Sequence, residues 1–190
     1  MKNKFVFLSV VFSTLLFASC TTVKSVNNLA KVFVTNTKQI NLLPPEAIET
    51  TIDDMMQLTG DFGDVSFSLI TLVQADETGL YFSLLNDFGT DMGTITYDGI
   101  DAISDSPVLP EKLKVEYILN DFQNAFYNPE KIKQNLNNSK LDFSVTKEAD
   151  KEIRRVLNNG KIVEEVTITA EGALINNLLR GYSFSLYFFQ

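Results

Sequence analysis

Between Pro110 and Asn138 the hydrophobic rhythm of this chain changes, and that change constrains the fold more than any other feature. On both sides apolar residues alternate with polar ones, the period of a strand; within the interval they recur at three- and four-residue steps, the period of a helix. Upstream, Ile40 to Pro45 reads as an extended lead-in, because residues before proline are pushed out of the helical region, and Thr50–Thr59 reads as a strand. Val65, Phe67, Leu69, Thr71 and Val73 then share one strand face, and Asp76–Gly79 turns the chain into Leu80, Phe82 and Leu84. Phe88–Asp91 leads into Met92–Tyr97, and Asp98-Gly99 is a hairpin signal before a return strand at Ile100–Ser104. In the interval, Pro110 suits a first helical position, and Leu113, Tyr117, Ile118, Phe122, Ala125 and Phe126 form one stripe on a predicted helix Glu111–Tyr127. A second, shorter helix begins at Pro129-Glu130 and buries Ile132 and Leu136.

Downstream the strand period returns with Leu141, Phe143 and Val145. Asn158-Asn159-Gly160 joins Glu152–Leu157 to Lys161–Ala170 as a hairpin. In the latter strand Glu164 shares a face with Ile162, Val166 and Ile168, which predicts a face only partly covered. Ala173–Leu178 and Tyr182–Phe189 follow, the last apolar on both faces and so expected to be buried on both. The pattern is a meander, a helical insert and a second meander: an α+β chain.

The N-terminus carries a separate message. Lys2 and Lys4 precede an uncharged run from Phe5 to Phe17, and the small residues Ala18 and Ser19 precede Cys20, the single cysteine. A secretory signal ending on a lone cysteine resembles a bacterial lipoprotein signal, in which that thiol is acylated and becomes the mature N-terminus. The alternatives are an ordinary signal peptide with an incidental cysteine, or a spanning helix, for which the run is short of the ~20 residues required. The lipoprotein reading divides the chain into a signal peptide at 1–19, a lipidated N-terminus and tether at 20–38, and one domain at 39–190. Thr21 after the cysteine, in place of the Asp that marks inner-membrane retention in enterobacteria, points to the outer membrane. Val32 and Val34 hint that packing starts before residue 39.

Removing residues 1–19 leaves 171 of 190 residues, enough for one domain, and the formal charge of −8 becomes −10 with Lys2 and Lys4 gone. An acidic surface argues against nucleic acid and against a basic patch on anionic lipid heads. The chain has no His, which removes Ser-His-Asp and Cys-His catalysis and His-bearing zinc sites. Ser144-Val145-Thr146-Lys147 matches S-x-x-K, but the segment alternates as a strand and the S-D-N and K-T-G companions of that chemistry are absent. Acids at Asp53/Asp54, Asp61/Asp64 and Asp98/Asp101/Asp105 lack calcium-loop spacing, and Gly60–Gly63 lacks the lysine of a phosphate loop. These readings predict a protein that is not an enzyme and uses no metal or cofactor.

Several stretches taken together carry a resemblance: the Cys20 signal, Leu43-Pro44-Pro45, Gly60, Met92–Gly99, Leu109-Pro110 ahead of Ile118–Gln123, and Gly181-Tyr182. The chain resembles a family of uncharacterised bacterial outer-membrane lipoproteins often encoded beside aryl-polyene biosynthesis genes and related in fold to LolB and LolA. The resemblance implies a strongly curved antiparallel sheet, an incomplete barrel, with helices covering its concave face and a cavity for acyl chains between them. Two functions are then in play. One is a monomeric, lipid-anchored envelope protein facing the periplasm that binds acyl chains, lipids or lipoproteins, with Leu113, Tyr117, Ile118, Phe122 and Phe126 as the candidate cavity lining. The other is a structural or partner-docking lipoprotein whose aromatic residues simply fill a core. A cavity of several hundred Å³ separates the first from the second.

Overall fold

The structure, a computed structural model, describes residues 29–189. The signal segment and Cys20 lie outside the described residues. A two-stranded ribbon, β1 (Lys31–Phe33) and β2 (Gln39–Asn41), comes first, followed by a short 3-10 turn at Pro45–Ala47. Five consecutive antiparallel strands follow: β3 (Ile52–Phe62), β4 (Val65–Ala75), β5 (Leu80–Leu85), β6 (Asp91–Tyr97) and β7 (Ala102–Asp105). Two helices, α1 (Val115–Phe126) and α2 (Pro129–Asn138), lead to β8 (Asp142–Lys147), β9 (Glu152–Asn158), β10 (Lys161–Thr169), β11 (Gly172–Asn177) and β12 (Tyr182–Phe188). The meander–insert–meander order read from the sequence is the order of the structure.

The two meanders form one ten-stranded sheet, ordered β7-β6-β5-β4-β3-β12-β11-β10-β9-β8. The joint is the pairing of β3 with β12, from Phe62↔Tyr182 to Met56↔Phe188. Among the described residues β7 and β8 end the sheet, so it does not close into a barrel. One face carries the core: Met56 and Leu58, Leu69 and Val73, Phe82 and Leu84, Ile95 and Tyr97, and Ala173, Ile175, Phe184 and Leu186 are all buried. The other face of the final strand is only partly covered, and Phe189 beyond it is exposed, so that strand is not buried on both sides as expected.

α1 lies on the core face and touches β7 near one sheet edge and β10 and β11 on the other side. Eight consecutive residues, Ile118 to Ala125, are buried, so protein surrounds the helix on every side. Full burial of each of Ile118, Leu119 and Phe122 contributes about 1.5–3 kcal/mol. The helix starts at Val115 and not at Glu111, because Pro110 opens a separate turn closed by the Leu113 amide donating to the Pro110 carbonyl at 2.8 Å. Asn128 caps α2, its side chain accepting from the Glu130 and Lys131 amides at 3.0 and 3.3 Å, with Pro129 as the first helical residue.

Gln123 and Arg154 are among the side chains that fasten α1 to the rest. Gln123 pairs with the backbone of Leu43 in both directions, at 2.8 Å each way, while the Tyr97 hydroxyl donates to the same Leu43 carbonyl at 3.0 Å. Arg154 of β9 donates to the Asn124 and Tyr127 carbonyls at 3.1 and 2.8 Å, satisfying the C-terminal end of the helix. From Leu29 onward the chain already packs into the domain, with Leu29, Val32 and Val34 buried.

Candidate functional site

The five residues expected to line one cavity lie along α1 and the turn before it, and they meet four different environments. Ile118 and Phe122 face a void between the helix and the sheet that is also lined by Leu58, Thr71, Phe82 and Phe184. Its volume is about 10 Å³, roughly the space of one water molecule. Phe122 meets Phe82 edge-on at 5.1 Å and Phe126 at 4.8 Å, so aromatic contacts close the interior. Leu113 is buried ahead of the helix, and Tyr117 lies under the Arg180 guanidinium, 4.2 Å from its ring centre. Phe126 faces outward from the same ring pair into an open recess of about 450 Å³ at the C-terminal end of α1, shared with Ile52 and Phe188.

The Phe122–Phe126 ring pair contributes to both cavities. One member lines the closed interior and the other lines the open mouth. The void is apolar except for Thr71, whose fully buried hydroxyl has no hydrogen-bond partner among the described residues. Leaving a hydroxyl unpaired in an apolar interior costs about 1–3 kcal/mol, so its position asks for an explanation. The strand residues lining the void were not singled out as a site from sequence, although the inward parity of Phe82 was visible in its alternation with Tyr81 and Ser83.

A polar cluster on the other flank of α1 was missed. Asp121 is 1% exposed and Glu164 of β10 is 2% exposed. Glu164 is thus not at a partly covered face. A bulge between Ile162 and Glu164 inserts Val163 into the strand, and both Val163 and Glu164 turn into the core. The Tyr182 hydroxyl donates to Asp121 Oδ2 at 2.5 Å, Asn120 Nδ2 donates to Asp121 Oδ1 at 3.3 Å, and Asn124 Nδ2 donates to Glu164 Oε1 at 2.8 Å. Burial first, and then the Glu164 charge, push the Asp121 carboxyl well above the usual carboxylate range. Burial also raises Glu164, against the opposing influence of its hydrogen bond from Asn124. Burial and these two acids raise the Tyr182 hydroxyl as well. The sequence signal was present: Asp121 sits three residues after Ile118 and four before Ala125, inside the apolar stripe.

Ser144 and Lys147 both lie in β8, as the alternation required, and not at a helix start. Among the described residues no group of three or more acidic, Cys or His side chains is placed to hold a metal ion, and no helix is long and apolar enough to cross a membrane. No curated protein matches the chain. A family model described as a protein of unknown function (DUF3261) matches residues 54–188, from β3 through β12, and the chain belongs to that family.

Proposed function

We propose that this protein is a lipid-anchored, non-catalytic protein of the cell envelope that takes the acyl chain of an amphiphile between α1 and the sheet. In this reading the open sheet is a LolB-like incomplete barrel curved around α1, Cys20 carries the anchor, and the outer membrane is its site, with the domain facing the periplasm. The resemblance to lipoproteins encoded with aryl-polyene genes makes fatty-acyl or polyene chains the ligand class. The observation that supports it best is that two ring neighbours on α1 line an open recess and an apolar void, Phe126 the first and Phe122 the second. A chain entering past Phe126 would run between side chains that offer it only apolar contact until Thr71. A void of about 10 Å³ is far below the 300–1,000 Å³ of an occupied ligand pocket. Binding therefore requires α1 to move away from the sheet, as lids do.

The chain has no Trp, which supplies a direct test. Thr50 is exposed at the recess, so Thr50→Trp gives a single reporter there with a stability effect within about 0.5 kcal/mol. Titration with a 12-carbon fatty acid brominated along its chain should quench that fluorescence saturably, and an unbrominated competitor should restore it. Quenching that rises only linearly, with no saturation, removes this reading.

A specific observation also favours the docking reading. Phe88 is 93% exposed at the tip of the β5–β6 turn. Exposed Val65 of the β3–β4 hairpin and Leu178 of the β11–β12 turn lie at the same end of the sheet, since β3 pairs with β4 and β12 in register there. Partner capture through this end, with aromatic residues simply filling the core, predicts no saturable acyl quenching of Thr50→Trp and loss of partner binding in Phe88→Ser.

A further inference from the structure

We infer that the face formed by the β1–β2 ribbon and α2 rests on the headgroups of an anionic phospholipid bilayer. This rests on the anchor at Cys20 proposed above, not on acyl binding, and it names the side of the domain that meets the membrane.

The net negative charge that argues against a basic patch is an average over segregated charges. Residues 50–109, which supply β3–β7, hold eleven acids and no Lys or Arg. Residues 29–45 and 131–141, which supply the ribbon and most of α2, hold five lysines and no acid. The fold sets these two basic stretches side by side. Asn135 and Ser139, in and just after α2, donate to the Asn41 and Gln39 carbonyls of β2 at 2.8 Å each, and the Lys38 ammonium donates to the Lys140 carbonyl. Ile132 and Leu136 point inward from α2, and Lys131 reaches across the ribbon side to the Glu46 carbonyl at 3.2 Å. In the ribbon Val32 and Ile40 are buried, so Lys31 and Phe33 face outward. Lys31, Lys131 and Lys140 are exposed, and among the described residues none of the five lysines takes part in an ion pair.

Lysines without acid partners suit any negative surface; the place where the chain enters the fold selects a membrane. Leu29, the first described residue, is buried and lines a recess together with Leu42 and Ala47 and with Lys131 and Asn135 of α2. The chain coming from the anchor therefore joins the domain at this same face. Nine residue steps separate Cys20 from Leu29, and fully extended they span no more than about 30 Å. A tether that short holds the lysines close to the lipid phosphates. Each Lys near an anionic leaflet strengthens binding by about fivefold, an effect that fades within a Debye length. Phe33, 42% exposed beside Lys31, adds an apolar ring at the level of the headgroups. The eleven acids of β3–β7 are repelled by the same surface, so the charge asymmetry orients the domain as well as attracting it.

The test places the full chain with nanodiscs of phosphatidylcholine alone or of phosphatidylcholine mixed with phosphatidylglycerol, each containing lipid brominated near the headgroup. The chain has no Trp, so Phe33→Trp reports from the proposed face and Phe88→Trp from the acidic meander. Both variants should travel with both discs. Phe33→Trp should be quenched several-fold more in the anionic discs than in the neutral ones, with the excess shrinking as salt rises, while Phe88→Trp stays unquenched. Adding Lys31→Gln, Lys38→Gln, Lys131→Gln and Lys140→Gln should remove the excess, and changing the same four to Arg should keep it. Quenching of Phe33→Trp no stronger than that of Phe88→Trp, or equal in the two discs, would overturn the face while leaving the anchor intact. Retention by the anionic discs alone, at low salt, keeps the face and removes the anchor; retention by neither removes both.

Discussion

The buried acid pair should make this protein lose stability as pH rises above the usual carboxylate range. In the unfolded chain Asp121 and Glu164 ionise near pH 4. In the fold burial and their mutual contact raise both, Asp121 the more strongly. A carboxyl whose folded value lies above its unfolded value stabilises the fold fully below the unfolded value, and that contribution is lost as pH rises through the folded one. Over that window the folded state binds the extra proton, and each retained proton makes stability fall by about 1.4 kcal/mol per pH unit. Glu152 acts oppositely. Burial tends to raise it, but hydrogen bonds and charge from Arg154 and Lys147 lower it overall, so its contribution is lost only as pH falls below the usual carboxylate range and is constant above pH 5.5. Urea denaturation at fixed ionic strength, with the midpoint and slope fitted at each pH, measures the trend. Asp121→Asn keeps an acceptor for the Tyr182 hydroxyl and removes one titrating group, so its profile should be flatter. A wild-type stability that nowhere falls as pH rises above the unfolded carboxylate value refutes a raised acid pair in the core.

Other substitutions probe the frame around the site. Phe184 is 4% exposed and lines the void, so Phe184→Ala should cost about 3–5 kcal/mol in chemical denaturation, while Ser183→Ala on the alternate face should change little. Gly172 has φ +145°, and a Cβ there would lie 2.1 Å from the Leu186 carbonyl oxygen, so Gly172→Ala should lower Tm by separating β11 from β12. Cys20→Ala should abolish labelling by a palmitate analogue and leave an unprocessed precursor; undiminished labelling contradicts the anchor.

What could be read ahead of the structure depended on how local the determining interaction was. The β9–β10 hairpin was legible because Asn159-Gly160 is enough by itself: both residues have positive φ, 52° and 77°, as a tight two-residue turn requires. The alternation from Val65 to Leu84 was legible because one face of those strands is core and the other is wet. The pairing of β3 with β12 was not, because no local pattern specifies a partner more than a hundred residues away. Glu164 was seen on an apolar face but read as a sign of exposure. A bulge cannot be placed from alternation, and its partners Asn124 and Asp121 come from a helix forty residues earlier. Leu113, Tyr117, Ile118, Phe122 and Phe126 were read as one helical stripe, but Leu113 lies in the turn before α1, and a stripe cannot say which of its members face a void, a cation or an open mouth. The recess itself is made by residues near 50, 126 and 188, and only the β3–β12 joint brings them together.

The central claim is that α1 is a lid and not a fixed piece of core. Native-state amide hydrogen exchange on the full chain tests it without knowledge of the ligand, by comparing the amides of Val115–Phe126 with those of β3 and β4. The account predicts that the α1 amides exchange through an opening of distinctly lower free energy than global unfolding, with urea dependence smaller than that of the strands, and that a bound 12-carbon amphiphile slows them. If the α1 and β3–β4 amides exchange together, at the free energy of global unfolding and with the same urea dependence, the helix does not open and the acyl-binding account is wrong.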